Sequence, residues 1–444
     1  MASAGRWAVL AVIVCAARFA HSGIIWVEEA YPGSAAVQML HGAVPYRDFF
    51  YDKPPLSAAI YVLWGAWPGV ASRLAASLYV LLCAWLAHRL AGGWAGALMA
   101  FFLTFYVPAA VIPLAPDLLL AAPHLAAMVL AREGRPFVAG AMAGLGLLIH
   151  VKAVFVAPVL ILWCPAGVLR VIAGFAGVTA ASLALLAAAG ALQGYWDQVW
   201  VWGRGYAADP LYEAPVREGL MRTLNWLGFH AAAVVGGLAA IRRDWKLAAW
   251  FGIALAGALL GARFAPRYYF LPLVPLVAAA ARGPALWMAV LALIPLVRFG
   301  PRYVQVAAEG GANWADTAMA RDSHAAAARI LERSTPADTL FVWGYRPEIL
   351  WETRLRLGAP FLDSQPLTGV LADRHLRDSR PTFAALGARN RARLVALRPT
   401  FVVDGLGPYN RELAITTYPE LARWIGENYQ EIARTPGCIV YRLR

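Results

Sequence analysis

Long apolar runs separated by short charged turns are the feature that most narrows what this chain can fold into. A helix needs about 20 apolar residues to cross a hydrocarbon layer, fewer where it is bent or shielded by neighbours. Eleven runs answer to that description, at 7–27, 70–90, 94–111, 115–131, 136–150, 153–169, 171–191, 223–241, 246–262, 268–281 and 284–299. Of the 444 residues 60% are hydrophobic and only 15% charged, where a soluble domain carries about a quarter charged. The expected fold class is therefore a polytopic α-helical membrane protein of about eleven transmembrane helices. No small-residue cleavage site clearly follows the first run, and many more runs come after it. It reads as a retained helix rather than a signal peptide. The apolar stretch 56–67 is short and reads as a helix lying at the interface.

The charges orient these spans. The net charge is +13, with 20 Lys/Arg against 11 Asp/Glu up to residue 300 and 19 against 15 beyond it. The excess lies in the hydrophobic part, spread over short turns, which suits membrane orientation and not a nucleic-acid surface. With a cytoplasmic N-terminus, the cytoplasmic turns hold Arg89, then Arg132 and Arg135, Arg170, then Arg242, Arg243 and Lys246, and Arg282. The opposite side receives the first connection, 28–69, the turns 107–116, 150–152 and 262–267, the connection 193–222, and all that follows residue 300. The expected division is a membrane domain over 1–300 and an extracytoplasmic α/β domain over 301–444. In the latter, "DTLFVWG", "PTFVVDG" and "GCIVYRL" read as strands and "YPELARWIGENY" as a helix. Cys15, Cys83, Cys164 and Cys438 show no metal spacing and read as packing residues. The spacings Gly92 to Gly96 and Gly140 to Gly144 suit close helix packing.

The first connection gathers chemistry beside the first run. "WVEEAYPGSAAVQMLHGAVPYRDFFYDKPP" holds Glu28, Glu29, Asp48 and Asp52, with Arg47 and Lys53. One reading is a polar turn whose acids are neutralised by Arg47 and Lys53. Against it, burial beside a span turns a carboxylate into a usable base. Two prolines after Lys53 fix its backbone beside Asp52. Lysine is also rare here: only Lys53, Lys152 and Lys246 occur, and two of them fall on the external side.

An acidic pair after the first span, then "PYRDFF", then a carboxylate and "KPP", resembles the GT-C glycosyltransferases that use lipid-linked sugars. More narrowly, it is similar to the bacterial protein O-mannosyltransferase and lipid A aminoarabinose transferase family. "PLAPD" at Asp117, the lysine closing "GLGLLIHVK", "RFAPRYYFLPLVP" and "DTLFVWGYRPEILW" support the likeness. The resemblance implies an inverting transferase that moves a sugar from a polyprenyl-phosphate donor to a lipid, glycan or protein hydroxyl, at the periplasmic face of a bacterial inner membrane. It implies Glu28 as the base with Glu29 as substitute, where the family more often has Asp then Glu. It also implies Asp52 as a carboxylate that positions the acceptor or orients Lys53, and Lys53 as ligand to the donor phosphate.

Fixed cations must face the leaving phosphate. Arg263 and Arg267 share one external turn and offer two-pronged donors, although arginines at span ends also snorkel to lipid head groups. Lys152 is a further phosphate candidate. Asp48, Arg47, Asp117 and Tyr268 are read as supporting residues, Asp117 also as a helix cap. A hard divalent cation, magnesium or manganese, could sit near Glu28, Glu29 and Asp52, and metal dependence is left open. His21, His124 and His150 read as packing or interfacial residues. The aromatic connection "YWDQVWVWGRGYAADPLYEAP" reads as an interface belt, with a sugar-stacking lid as the alternative. A transporter or flippase for a lipid-linked saccharide is the competing function. It would place polar groups midway along its spans, whereas the acids here collect at one face.

Overall fold

The structure, a computed structural model, describes residues 2–106, 114–309 and 315–444. Most of the expected turn 107–116 and the end of the run 94–111 lie outside the described residues. Helices Ala2–Phe19, Val70–Ala91, Ala95–Phe105, Pro136–Ile149, Val168–Ala188, Trp245–Leu259, Phe270–Ala280 and Ala285–Glu309 fall on expected runs. Among the described residues three helical segments, Val70–Ala91, Pro165–Ala188 and Ala285–Ala308, are long and apolar enough to cross a membrane unbroken.

Elsewhere the runs are bent or interrupted. The run 223–241 is divided between helices Pro215–Phe229 and Ala231–Arg243, which meet at 96°. The run 153–169 gives helix Val156–Trp163 and then stops at Cys164, because Pro165 has no N–H to continue the helix. Helix Ala285–Glu309 continues past the domain boundary expected at residue 300. Of the expected small-residue positions, Gly96, Gly140 and Gly144 pack closely on neighbouring helices, whereas Gly92 ends helix Val70–Ala91 at φ +68° with open space around it. A Cβ on Gly140 would collide with the Val171 carbonyl, and one on Gly174 with that of Phe137. This lets helix Pro136–Ile149 lie directly against Val168–Ala188.

The first connection is more ordered than a loop. Helix Val27–Leu40 occupies its first half and helix Leu56–Val62 follows "KPP". Glu28 and Glu29 stand in the first turn of helix Val27–Leu40, where carboxylates are favoured by the exposed N–H groups.

The tail forms a five-stranded sheet. Its strands are β1 (Thr339–Trp343), β2 (Arg356–Leu357), β3 (Phe401–Asp404), β4 (Tyr429–Arg434) and β5 (Ile439–Leu443), ordered β2-β1-β3-β5-β4. β1 runs parallel to β2 and β3, whereas β5 is antiparallel to β3 and β4. The three strands expected from sequence are β1, β3 and β5, and the expected helix is Pro419–Asn428. All of β3 is buried, which explains its unbroken apolar run.

Helix Val27–Leu40 joins the two parts. It packs on tail helix Pro347–Thr353, where a Cβ on Gly33 would overlap the Trp351 indole. Ser34 Oγ donates to the Pro347 carbonyl at 2.6 Å. Gln38 Nε2 donates to the Leu355 carbonyl at 3.0 Å, and its Oε1 accepts from Leu357 N–H at 3.0 Å. One side chain from the helical part thereby closes the outer edge of β2. Trp351 Nε1 completes the joint by donating to the Ala66 carbonyl at 2.7 Å.

Candidate active site

Successive helical residues point about 100° apart, since a turn takes about 3.6 residues. Glu28 and Glu29 therefore cannot share an environment. Glu29 is fully buried against Arg73, itself fully buried, in a two-pronged pair whose Nη1–Oε2 distance is 3.0 Å. Arg73 also donates to the Ile24 carbonyl at 2.8 Å. Glu29, expected as the substitute base, is thus committed to Arg73 and is not part of the cavity wall.

Glu28 lines a cavity of about 780 Å³ between helix ends and the tail. Its Oε1 lies 3.0 Å from Arg267 Nη1. Arg267 Nε lies 3.3 Å from Asp117 Oδ2, and Asp117 Oδ1 lies 3.1 Å from His150 Nε2. Four groups from four separated segments thus form one row. Burial opposes charge on Arg267, but Glu28 and Asp117 outweigh it and raise its pKa. Asp117 makes no N-cap bond; it faces Arg267. His150, read from sequence as a packing or interfacial residue, belongs to the cavity.

Lys53 and Asp52 lie on the same cavity, with Nζ 3.1 Å from Oδ2. Burial works against the Lys53 charge, yet Asp52 and then Glu28 more than compensate and raise its pKa. Lys152 differs. Its ammonium sits over the Tyr268 ring, 3.0 Å from the centroid, with no hydrogen-bond partner among the described residues. Burial pushes its pKa down to about 7, opposed by Asp117 and assisted by Arg267.

Three expected site residues play other parts. Arg263 Nη1 donates to Asp373 at 2.7 Å, and Nη2 donates to the carbonyls of Tyr206 and Asp209 at 2.7 and 2.8 Å. Arg263 lines the cavity, but these donors tie the connection 193–222 to Asp373 of the tail. Arg47 and Asp48 are bonded to each other at 2.8 Å on the surface, away from the cavity wall.

The tail closes the cavity with residues that the sequence left unassigned. Tyr345, just beyond β1, lies 5.6 Å from the Tyr31 ring, which stacks on Tyr51 at 5.3 Å. Near Asp52, burial lifts the Asp363 carboxyl to about 7, against the bonds from Gln365 and with the charge of Asp52 adding to the rise. The aromatic connection is helical, and Trp196, Trp200, Trp202 and Tyr206 line the cavity. Trp202 stacks on Phe383 of the tail at 4.2 Å. This connection thus forms a wall of the cavity. The divalent cation does not fit this arrangement. Each carboxylate proposed for it already faces a cation, Glu29 points elsewhere, and no three His, Cys, Asp or Glu are grouped to hold a metal among the described residues.

The sequence matches no protein-family model and no curated protein. The structure is similar to crystal structures of ArnT from Cupriavidus metallidurans. Against the one bound to undecaprenyl phosphate the TM-score is 0.60 at 14% identity, over 99% of this chain and 98% of that one. Against the apo state it is 0.61 at 16% identity, with the same coverage. Across nearly its whole length, tail included, this chain has the fold of ArnT.

Proposed function

We propose that this protein is an inverting GT-C glycosyltransferase that takes a sugar from a polyprenyl-phosphate donor to an acceptor hydroxyl. The observation that carries this reading is the shared cavity of Glu28, Lys53 and Arg267, in which a carboxylate stands directly beside fixed cations. The likeness to an undecaprenyl-phosphate-bound ArnT supports a lipid phosphate as the donor's carrier.

The acceptor oxygen attacks the anomeric carbon from the face opposite the phosphate. Its bond to carbon forms as the bond from carbon to phosphate oxygen breaks, and the phosphate leaves with the electron pair. Glu28 takes the acceptor proton. Lys53 and Arg267 face the charge that grows on the phosphate, and their fixed positions lower the barrier. Arrival of the phosphate draws Arg267 from Glu28 and frees the carboxylate to act as a base. Lys152, without a hydrogen-bond partner among the described residues, is available to the same anion. Asp52 orients Lys53 and the acceptor, and the tryptophan wall offers faces on which a sugar ring stacks.

In this reading eleven segments cross a bacterial inner membrane, several of them bent, and the cavity and tail face the periplasm. The acceptor is a lipid, glycan or protein hydroxyl. The test gives purified protein a radiolabelled polyprenyl-phosphate sugar with candidate acceptors. Transfer that is lost in Glu28→Gln and Lys53→Ala, with both variants folded, supports the reading. Label that crosses liposomes while still attached to its lipid would show a transporter instead.

A further inference from the structure

Lys53 and Asp52 belong to no helix or strand, yet the chemistry needs them fixed. The two prolines after Lys53 restrain only one flank. The other flank is held by a residue about 150 positions away. Gln198 Nε2 donates to the Tyr46 carbonyl at 2.9 Å, and Gln198 Oε1 accepts from Tyr51 N–H at 2.8 Å. One amide therefore spans the segment 46–51. Tyr46 N–H also bonds to the Phe49 carbonyl at 2.9 Å, and Tyr46 Oη to the Lys53 carbonyl at 2.6 Å. Tyr46 has φ of +70°, a backbone state that a tyrosine does not hold without outside support.

The origin of that support is local. Gln198 lies in Trp196–Val201, a π-helical turn inserted between helices Leu192–Tyr195 and Trp202–Ala208. Such turns re-aim side chains relative to a regular helix and gather at functional sites. The close approach is built in. Gly194, one turn earlier, has no side chain, and a Cβ there would collide with the Tyr46 carbonyl. The same π turn presents Trp196 and Trp200 to the cavity. The wall and the phosphate ligands are thus parts of one bonded unit.

We infer that Gln198 is a positioning residue, which sets Lys53 and Asp52 for the donor phosphate by clamping the Tyr46 carbonyl and the Tyr51 amide from the π turn. This rests on the lipid-phosphate reading above. The test uses the full-length protein, with undecaprenyl phosphate as the probe and tryptophan quenching as the binding signal. Gln198→Met removes both bonds at similar volume, and Gln198→Glu keeps only the acceptor. Expected are a loss of affinity of about tenfold in Gln198→Met and a smaller loss in Gln198→Glu. In a Lys53→Met background the Gln198→Met effect should shrink to below about twofold, because coupled residues are not additive. Amide hydrogen exchange across 46–53 should accelerate in Gln198→Met. Equal losses in both backgrounds, or unchanged exchange, overturn the inference. Should Gln198→Met fail to fold, Gln198→Glu is run through the same cycle and exchange measurement under the same criteria. If the wild-type protein does not bind the lipid, the reading of function fails, and exchange alone decides whether Gln198 holds the segment.

Discussion

The sharpest test separates two adjacent glutamates. Glu29→Gln leaves the Arg73 guanidinium buried beside a neutral amide. Removing one partner of a buried ion pair costs about 3–5 kcal/mol, because the remaining charge stays desolvated. Both side chains here are fully buried, so the upper part of that range applies. Glu28→Gln costs far less, since Glu28 opens on the cavity and Arg267 keeps Asp117 as a partner. Its expected effect is on turnover, where loss of a general base slows transfer by about 10²–10⁴-fold. Thermal unfolding in detergent and the transfer assay are measured on both variants. Glu29→Gln should unfold at a clearly lower temperature, and Arg73→Met in the same protein should restore part of the loss by removing the stranded charge. Glu28→Gln should unfold near wild type and transfer almost nothing. A stable Glu29→Gln that lacks transfer, paired with an active Glu28→Gln, would refute the assignment.

Three further outcomes are expected. Phosphate binding should recharge Lys152, so undecaprenyl phosphate should bind with proton uptake at pH 8, seen as a buffer-dependent heat in titration calorimetry and diminished in Lys152→Met. Asp363 is protonated in the folded tail up to about pH 7 and ionised from about pH 4 in the unfolded chain. The native state then binds the extra proton, so stability falls as pH rises from 4 to 7; Asp363→Asn should flatten that part of the melting-temperature profile. Gly33→Ala should loosen the tail, because the new methyl meets the Trp351 ring, and limited proteolysis should then release tail fragments faster than from wild type.

The sequence carried the fold class because apolar runs and turn charges are local signals. Glu28, Lys53 and Arg267 could be named together because each stands in a motif at a run's edge, and all three line one cavity. The sequence could not separate Glu28 from Glu29, since their difference depends on Arg73, which looks like any arginine at the start of an apolar run. Arg263 had the right residue type, but its role was decided by Asp373, 110 positions later. His150 had no spacing signal, because its partner Asp117 lies on another helix. Gln198 was hidden for the same reason, and a π turn leaves no mark in hydropathy. β2 is two residues long and β4 mostly exposed, so neither shows a run to detect.

The Gln38 amide bears on how the tail behaves when severed. It occupies the free N–H and C=O positions along β2, which would otherwise be an open margin of the sheet. Strand margins left uncovered recruit other chains. A fragment beginning after residue 315 would bare that margin together with the Trp351 indole, and it would self-associate. In the intact chain the membrane half thus caps this one margin of the sheet.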